Sequence, residues 1–199
     1  YELALESQRD QLSILNQIVR HDIRNDMQVV LGMGKRLSKR VEGEDSEAVD
    51  RLLSSARHVV ELTTTMRDLT DVMLEQEFET RSVRINHVIE SEIDVLQATT
   101  ESAIIQTEGP PPHVSVHGDE LLNAVFRNIL RNAIQHNDAV VPKVVVECEV
   151  GHEVVQVRIS DNGPGIADEQ KEVVFGRGAK GLESSGTGLG LYLVKQLIR

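Results

Sequence analysis

Asp161-Asn162-Gly163-Pro164-Gly165-Ile166 and, further along, Gly186-Thr187-Gly188-Leu189-Gly190 put a carboxylate and two glycine clusters around one expected pocket. Glycine tolerates positive φ and lets a backbone come close to a ligand. Exposed N–H groups of such a loop cradle phosphate, best where a helix begins. Leu189 to Arg199 has the apolar spacing of that helix. An ionised Asp161 only accepts hydrogen bonds, so it suits an amino group such as the exocyclic amine of adenine. An amine acceptor followed by a phosphate cradle points to a purine nucleoside triphosphate.

Working back from this stretch, Lys143–Val150 and Glu153–Ser160 alternate as strands around a Gly151-His152 turn. Asp119–His136 reads as a helix. It carries Asn128 and Asn132 four residues apart, hence on one face, among Leu121, Leu122, Val125, Ile129 and Ala133. Amides on a core-facing helix are costly without partners. One reading is that an amide oxygen helps hold Mg²⁺, a hard cation that prefers oxygen and retains phosphates and waters. The other is that both amides satisfy helix-terminus or solvent bonds. Ile85–Leu96 predicts a further helix, and Ala103–Thr107 and His113–His117 predict short strands around a stiff Gly109-Pro110-Pro111-Pro112 turn. The mixture implies a layered domain with one helical face.

The first part of the chain has a different period. Leu5, Leu12, Leu15, Val19, Ile23, Met27, Val30, Leu37 and Val41 recur at helical spacing, with Gly32 and Gly34 as the weak points. The acidic tract Glu42–Glu47 predicts a turn, with Ser46 capping the next helix. A second stripe then runs from Val49 to Met73. Two such helices make an antiparallel hairpin. Alone it has too little core, and its wide stripes predict a second copy and a dimeric four-helix bundle. The charged stretch Glu75–Ser82 reads as a hinge, giving units of residues 1–77 and 78–199. Leu3 and Leu5 already carry the first stripe, so it is expected to continue upstream into a sensor domain.

The net charge is -11, from 32 Asp+Glu against 21 Lys+Arg, which excludes nucleic acid as a natural partner. The basic residues divide into 6 Lys and 15 Arg, and an acidic, Lys-poor surface fits a protein from high salt, as in a halophilic archaeon. Cys148 is the single cysteine, so no disulfide can form within the chain. No apolar run is long enough to span a bilayer, and the expected location is cytoplasmic. The chain opens on Tyr1 and stops at Arg199, inside its last helix. The expectation is a fragment whose sheet lacks closing strands and has an unpaired edge.

These residues resemble the sensor histidine kinases of two-component systems. Asn128-Ile129-Leu130-Arg131-Asn132-Ala133 looks like their N box, Asp161–Gly165 their first glycine box, and Gly186–Leu191 their second. Phe175 in Val173–Gly178 resembles the F box, and His21-Asp22-Ile23-Arg24-Asn25 the H box. Each motif is weak alone; together, in the family's order and almost end to end, they are specific. The implied fold is α+β: the helical hairpin followed by an α/β-sandwich ATP-binding domain. The implied activity is ATP-dependent autophosphorylation of His21 and transfer to an aspartate of a response-regulator receiver domain, with ATP and Mg²⁺ as ligands.

Roles follow by position. Asn132 is the implied Mg²⁺ ligand, with Asn128 supporting the phosphates. Asp161 accepts the adenine amine, and Gly163 and Gly165 make room for the base. Phe175 anchors a lid that holds Arg177 and Lys180, cations suited to the γ-phosphate. Gly186, Gly188 and Gly190 line the triphosphate. His21 is also legible without the family. It lies off the Leu15–Val19–Ile23 stripe and is expected in solvent, where a solitary histidine ordinarily has no role. Asp22 beside it can orient the imidazole and take its proton. By resemblance His21 is the phosphoacceptor, Asp22 the general base, and Asn25 the residue that positions water in relatives with phosphatase activity.

Three departures stand out. Asp26 replaces a frequent proline, so the first helix is expected to bend less or to bend at Gly32 and Gly34. Gln135 replaces a frequent lysine, leaving Arg131, Arg177 or Lys180 to supply charge. Asn128 stands where the related chaperone and topoisomerase ATPases carry a water-activating Glu, which disfavours hydrolysis. The alternative to a kinase is a non-catalytic, nucleotide-binding dimeric scaffold.

Overall fold

The computed structural model describes residues 2–74, 81–100, 103–119, 121–176 and 189–198, the side chains of 2–13, 15 and 71–74 apart. It divides into two compact units, Tyr1–Glu75 and Gln76–Arg199.

The first unit is a helical hairpin of α1 (Glu2–Ser38) and α2 (Glu44–Leu74). Asp26, where a proline would break the backbone ladder, leaves α1 continuous. Gly34 is a site of close approach. A Cβ built there would come within 2.6 Å of Leu53 Cδ2, whereas one at Gly32 meets nothing within 4 Å. Leu53 and Ala56 are buried, and Asn16 Nδ2 donates to Thr70 Oγ1 at 3.0 Å. Asp68 is 1% exposed and accepts from Arg67 Nε and Nη2 at 3.2 and 3.0 Å. Ser46 does not cap α2. The helix starts at Glu44, and the Ser46 N–H donates to the carbonyl of Gly43, which has φ +71 and makes the turn.

The second unit runs β1 (Arg81–Arg84), α3 (Ile85–Thr99), β2 (Ile104–Glu108), β3 (Ser115–Gly118), α4 (Leu122–Gln135), β4 (Lys143–Val150), β5 (Val155–Asp161), α5 (Asp168–Lys171) and α6 (Gly190–Leu197). Arg81 and Ser82, expected in a hinge, are instead in β1, antiparallel to β3; residues 75–80 of that stretch lie outside the described residues. The other sheet has the order β2-β4-β5, parallel then antiparallel. Its inward residues Ile105, Val144 and Val146 meet Ile85, Val88, Ile89, Ile93 and Leu96 of α3 and Phe126, Leu130 and Ala133 of α4. This aliphatic layer fixes α4 against β4 and β5. The α+β architecture therefore holds for the described residues.

Candidate active site

α4 starts where the Leu121 N–H donates to Asp119 Oδ1 at 2.8 Å, a side chain satisfying an orphan donor of the first turn. Asn128 and Asn132 are half-buried on this helix. Asn128 Nδ2 donates to the Ala124 carbonyl at 2.7 Å, one turn back. Its Oδ1 faces the first residue of α6: a Cβ at Gly190 would lie 2.6 Å from that oxygen. Glycine lets α6 begin on top of Asn128 with that amide left where it is. Leu193 and Val194, one turn on, are buried and hold α6 in place.

The other wall is the loop after β5. Asp161 is the last strand residue, and its Oδ1 accepts the Gly163 N–H at 2.8 Å. That bond fixes the carboxylate and leaves its second oxygen for an incoming amine. A Cβ on Gly163 would lie 2.8 Å from Asp161 Oδ1 and 3.3 Å from Asn137 Cα and Cγ. Gly165 has φ +73, which glycine adopts at no steric cost. α4, the loop after β5 and the start of α6 thus bring Asn128, Asp161, Gly163, Gly165 and Gly190 into one unit, with Asn132 on the same helix. Phe175 is half-buried shortly after α5. Arg177, Lys180, Gly186 and Gly188 lie outside the described residues.

One bare backbone position at Gly165, an acceptor-only carboxylate and two amides fit Mg²⁺-ATP. Gly165 leaves open space where a Cβ would stand, and Asn132 offers the hard oxygen that Mg²⁺ prefers. Asn137 and Asn162 tie the two walls together, and sequence reasoning assigned them no role. The available signal was an Asn just past a helix end and another inside the Asp-Asn-Gly turn, both favoured there for local backbone bonds.

His21, Asp22 and Asn25 lie on α1 in the first unit, all exposed. His21 Nδ1 is 3.2 Å from Asp22 Oδ1, with the two side chains 71% and 70% exposed. That contact favours the tautomer with the proton on Nδ1, placed by the contact rather than seen, and puts the lone pair on Nε2. Asn25 Nδ2 is 3.3 Å from both ring nitrogens. One atom equidistant from both cannot lie along either in-plane lone pair, so the amide sits against the ring face.

Residues 118–199 match the family described as histidine kinase-, DNA gyrase B-, and HSP90-like ATPase. The chain is similar to the sensor protein KdpD of Escherichia coli (strain K12), 26% identical over 203 residues, which cover 98% of this chain and 22% of KdpD. It is similar to the sensor histidine kinase ZraS of Klebsiella oxytoca, 27% identical over 185 residues, covering 90% of this chain and 39% of ZraS. The chain thus spans well under half the length of these relatives. Full-length ShkA, solved in complex with AMPPNP, shares the fold with a TM-score of 0.58 at 20% identity, over 92% of this chain and 40% of that one. Among the described residues no helix is long and apolar enough to cross a membrane.

Proposed function

We infer that this chain, similar to sensor histidine kinases, is itself one: an ATP-dependent protein-histidine kinase phosphorylated on His21. Residues 1–77 are the dimerisation and phosphotransfer hairpin and 78–199 the ATP-binding catalytic domain. The observation that carries the reading is the His21–Asp22 contact on the open face of α1. It supplies an oriented nucleophile, so that a side chain rather than water attacks the γ-phosphorus.

Asp161, with one oxygen held by Gly163, accepts the adenine amine, and Gly163 and Gly165 admit the base. Asn128, Gly186, Gly188 and Gly190 line the triphosphate, Phe175 anchors the lid, and Arg177 and Lys180 meet the γ-phosphate. Asn132 holds Mg²⁺, which neutralises charge on the phosphates when bound. His21 Nε2 forms the new bond to the γ-phosphorus as the bond from phosphorus to the β-phosphate oxygen breaks, and ADP leaves with that electron pair. Asp22 takes the Nδ1 proton as the ring becomes cationic. Asn128 is an amide and abstracts no proton, so water at the γ-phosphate goes unactivated.

The phosphoryl group then passes to an aspartate of a response-regulator receiver domain. Asn25, one turn beyond His21, orients water to hydrolyse the partner's phospho-aspartate to aspartate and free phosphate, the phosphatase reaction. The apolar exposure of α1 supports a homodimer, and the upstream stripe supports a preceding sensor domain; the kinase works in the cytoplasm. Incubation with γ-labelled ATP and Mg²⁺ tests the reading. Acid-labile, alkali-stable label on the protein is expected and should vanish in His21→Ala; label that persists in His21→Ala overturns it.

A further inference from the structure

We propose that Asn137 and Asn162 are a positioning pair that sets Asp161 against α4 and thereby controls how tightly the adenine base is held. The proposal rests on the reading of this pocket as an ATP site. Asn137 lies just beyond α4, and its Nδ2 is 3.3 Å from the Ala133 carbonyl and 2.9 Å from Asn162 Oδ1. Its own Oδ1 accepts the Ala139 N–H at 3.0 Å. Asn162 Oδ1 also accepts the Lys143 N–H at 2.7 Å, and its Nδ2 donates to the Val141 carbonyl at 3.2 Å. The Asn162 N–H donates to the Lys143 carbonyl at 3.2 Å. The polar atoms of both amides are engaged, and together they join the end of α4, the start of β4 and the loop after β5.

The neighbours of this pair are the base-binding residues. Asp161 directly precedes Asn162, and Gly163 follows it. Gly163 packs where a Cβ would be 3.3 Å from Asn137 Cα, so the loop lies on Asn137 itself. The Asn137–Asn162 bond is exposed. A solvated bond of this kind contributes little to global stability, about 1 kcal/mol or less. It can nonetheless decide where a loop sits, because the loop has no buried side chain to hold it. The core under α4, built from Phe126, Leu130 and Ala133, does not depend on it. Loss of the pair should therefore move Asp161 relative to Asn128 and Asn132 while the fold persists. Binding of the phosphates, held by α4 and α6, should be spared; binding of the base should not.

The test measures binding rather than turnover. ATP and inorganic triphosphate, each with Mg²⁺, are titrated into the chain by calorimetry or by displacement of a fluorescent nucleotide. Asn137→Ala should raise the Kd for ATP by about tenfold, equivalent to about 1.4 kcal/mol, and leave that for triphosphate within about twofold. In the cycle of Asn137→Ala, Asn162→Ala and the double variant, the double should bind ATP no more weakly than Asn162→Ala alone, because the two act as one unit. Equal weakening of both ligands, or an unchanged Kd for ATP in Asn137→Ala, overturns the positioning role. A wild-type chain that binds neither ligand overturns the ATP-site reading and this role with it, an outcome distinct from a wild type that binds ATP and a variant that binds it equally well.

Discussion

Gly190 shows how one residue couples two of the motifs. Its missing Cβ is the space that Asn128 Oδ1 occupies, 2.6 Å from where that carbon would be. Gly190→Ala must rotate Asn128 away from the Ala124 carbonyl or displace the start of α6. On the proposed function either movement disturbs the residues that line the triphosphate, so nucleotide affinity is expected to fall about tenfold or more, about 1.4 kcal/mol, with α6 still helical. Isothermal titration with ATP checks the first expectation and circular dichroism the second. Cys148 is half-buried on β4. Burial pushes its thiol above the usual range. The reactive thiolate is therefore scarcer at neutral pH than for a free cysteine, and it appears only as the pH rises past that raised value. Alkylation should be slower than for a small-molecule thiol at neutral pH and should accelerate into the alkaline range; a rate already at its plateau at neutral pH would contradict this.

At the scale of elements, the two glycines of α1 are predicted to behave oppositely. Gly34→Ala drives a Cβ to 2.6 Å from Leu53 Cδ2, and Leu53 is only 3% exposed, so it cannot swing into solvent. Overpacking of this kind costs about 1–3 kcal/mol. Gly32→Ala meets nothing within 4 Å in mid-helix and should stabilise by up to about 1 kcal/mol. Thermal unfolding of the two variants checks the contrast. Sequence treated both as weak points because propensity counts backbone entropy, whereas the packing partner is visible only in the fold. The same limit explains which elements were legible. α4, β4 and β5 carry strong periods and a short turn, and their bounds lie within a few residues of expectation. β1 was hidden because Arg-Ser-Val-Arg is short, polar and paired with a strand distant in sequence. The parallel β2–β4 pairing leaves no local trace at all. Of the pocket, the glycines and Asp161 were readable from residue type. The Asn137–Asn162 tie was not, because it is a contact between residues 25 positions apart.

For the whole molecule, the face of α1 that carries His21 is informative. Ile14, Ile18, Val29, Met33 and Leu37 are all about half exposed or more, and Leu52 and Met66 of α2 are similar. His21 follows Ile14 by one heptad, Asn25 follows Ile18 by one heptad, and Asp22 precedes Val29 by one. His21, Asp22 and Asn25 thus interrupt an apolar stripe rather than lying opposite it. If His21 is the nucleophile, as proposed, a second copy that covers the stripe must leave this interruption open. Such an arrangement suits a chain in which one helix serves both assembly and chemistry. The central claim is that the γ-phosphate goes to His21 and not to water. The partition of γ-label between protein and free phosphate in a single turnover on the wild-type chain measures this most directly. Label predominantly on protein as a phosphoramidate is expected, with little free phosphate; free phosphate as the main product, with the protein unlabelled, would contradict the claim.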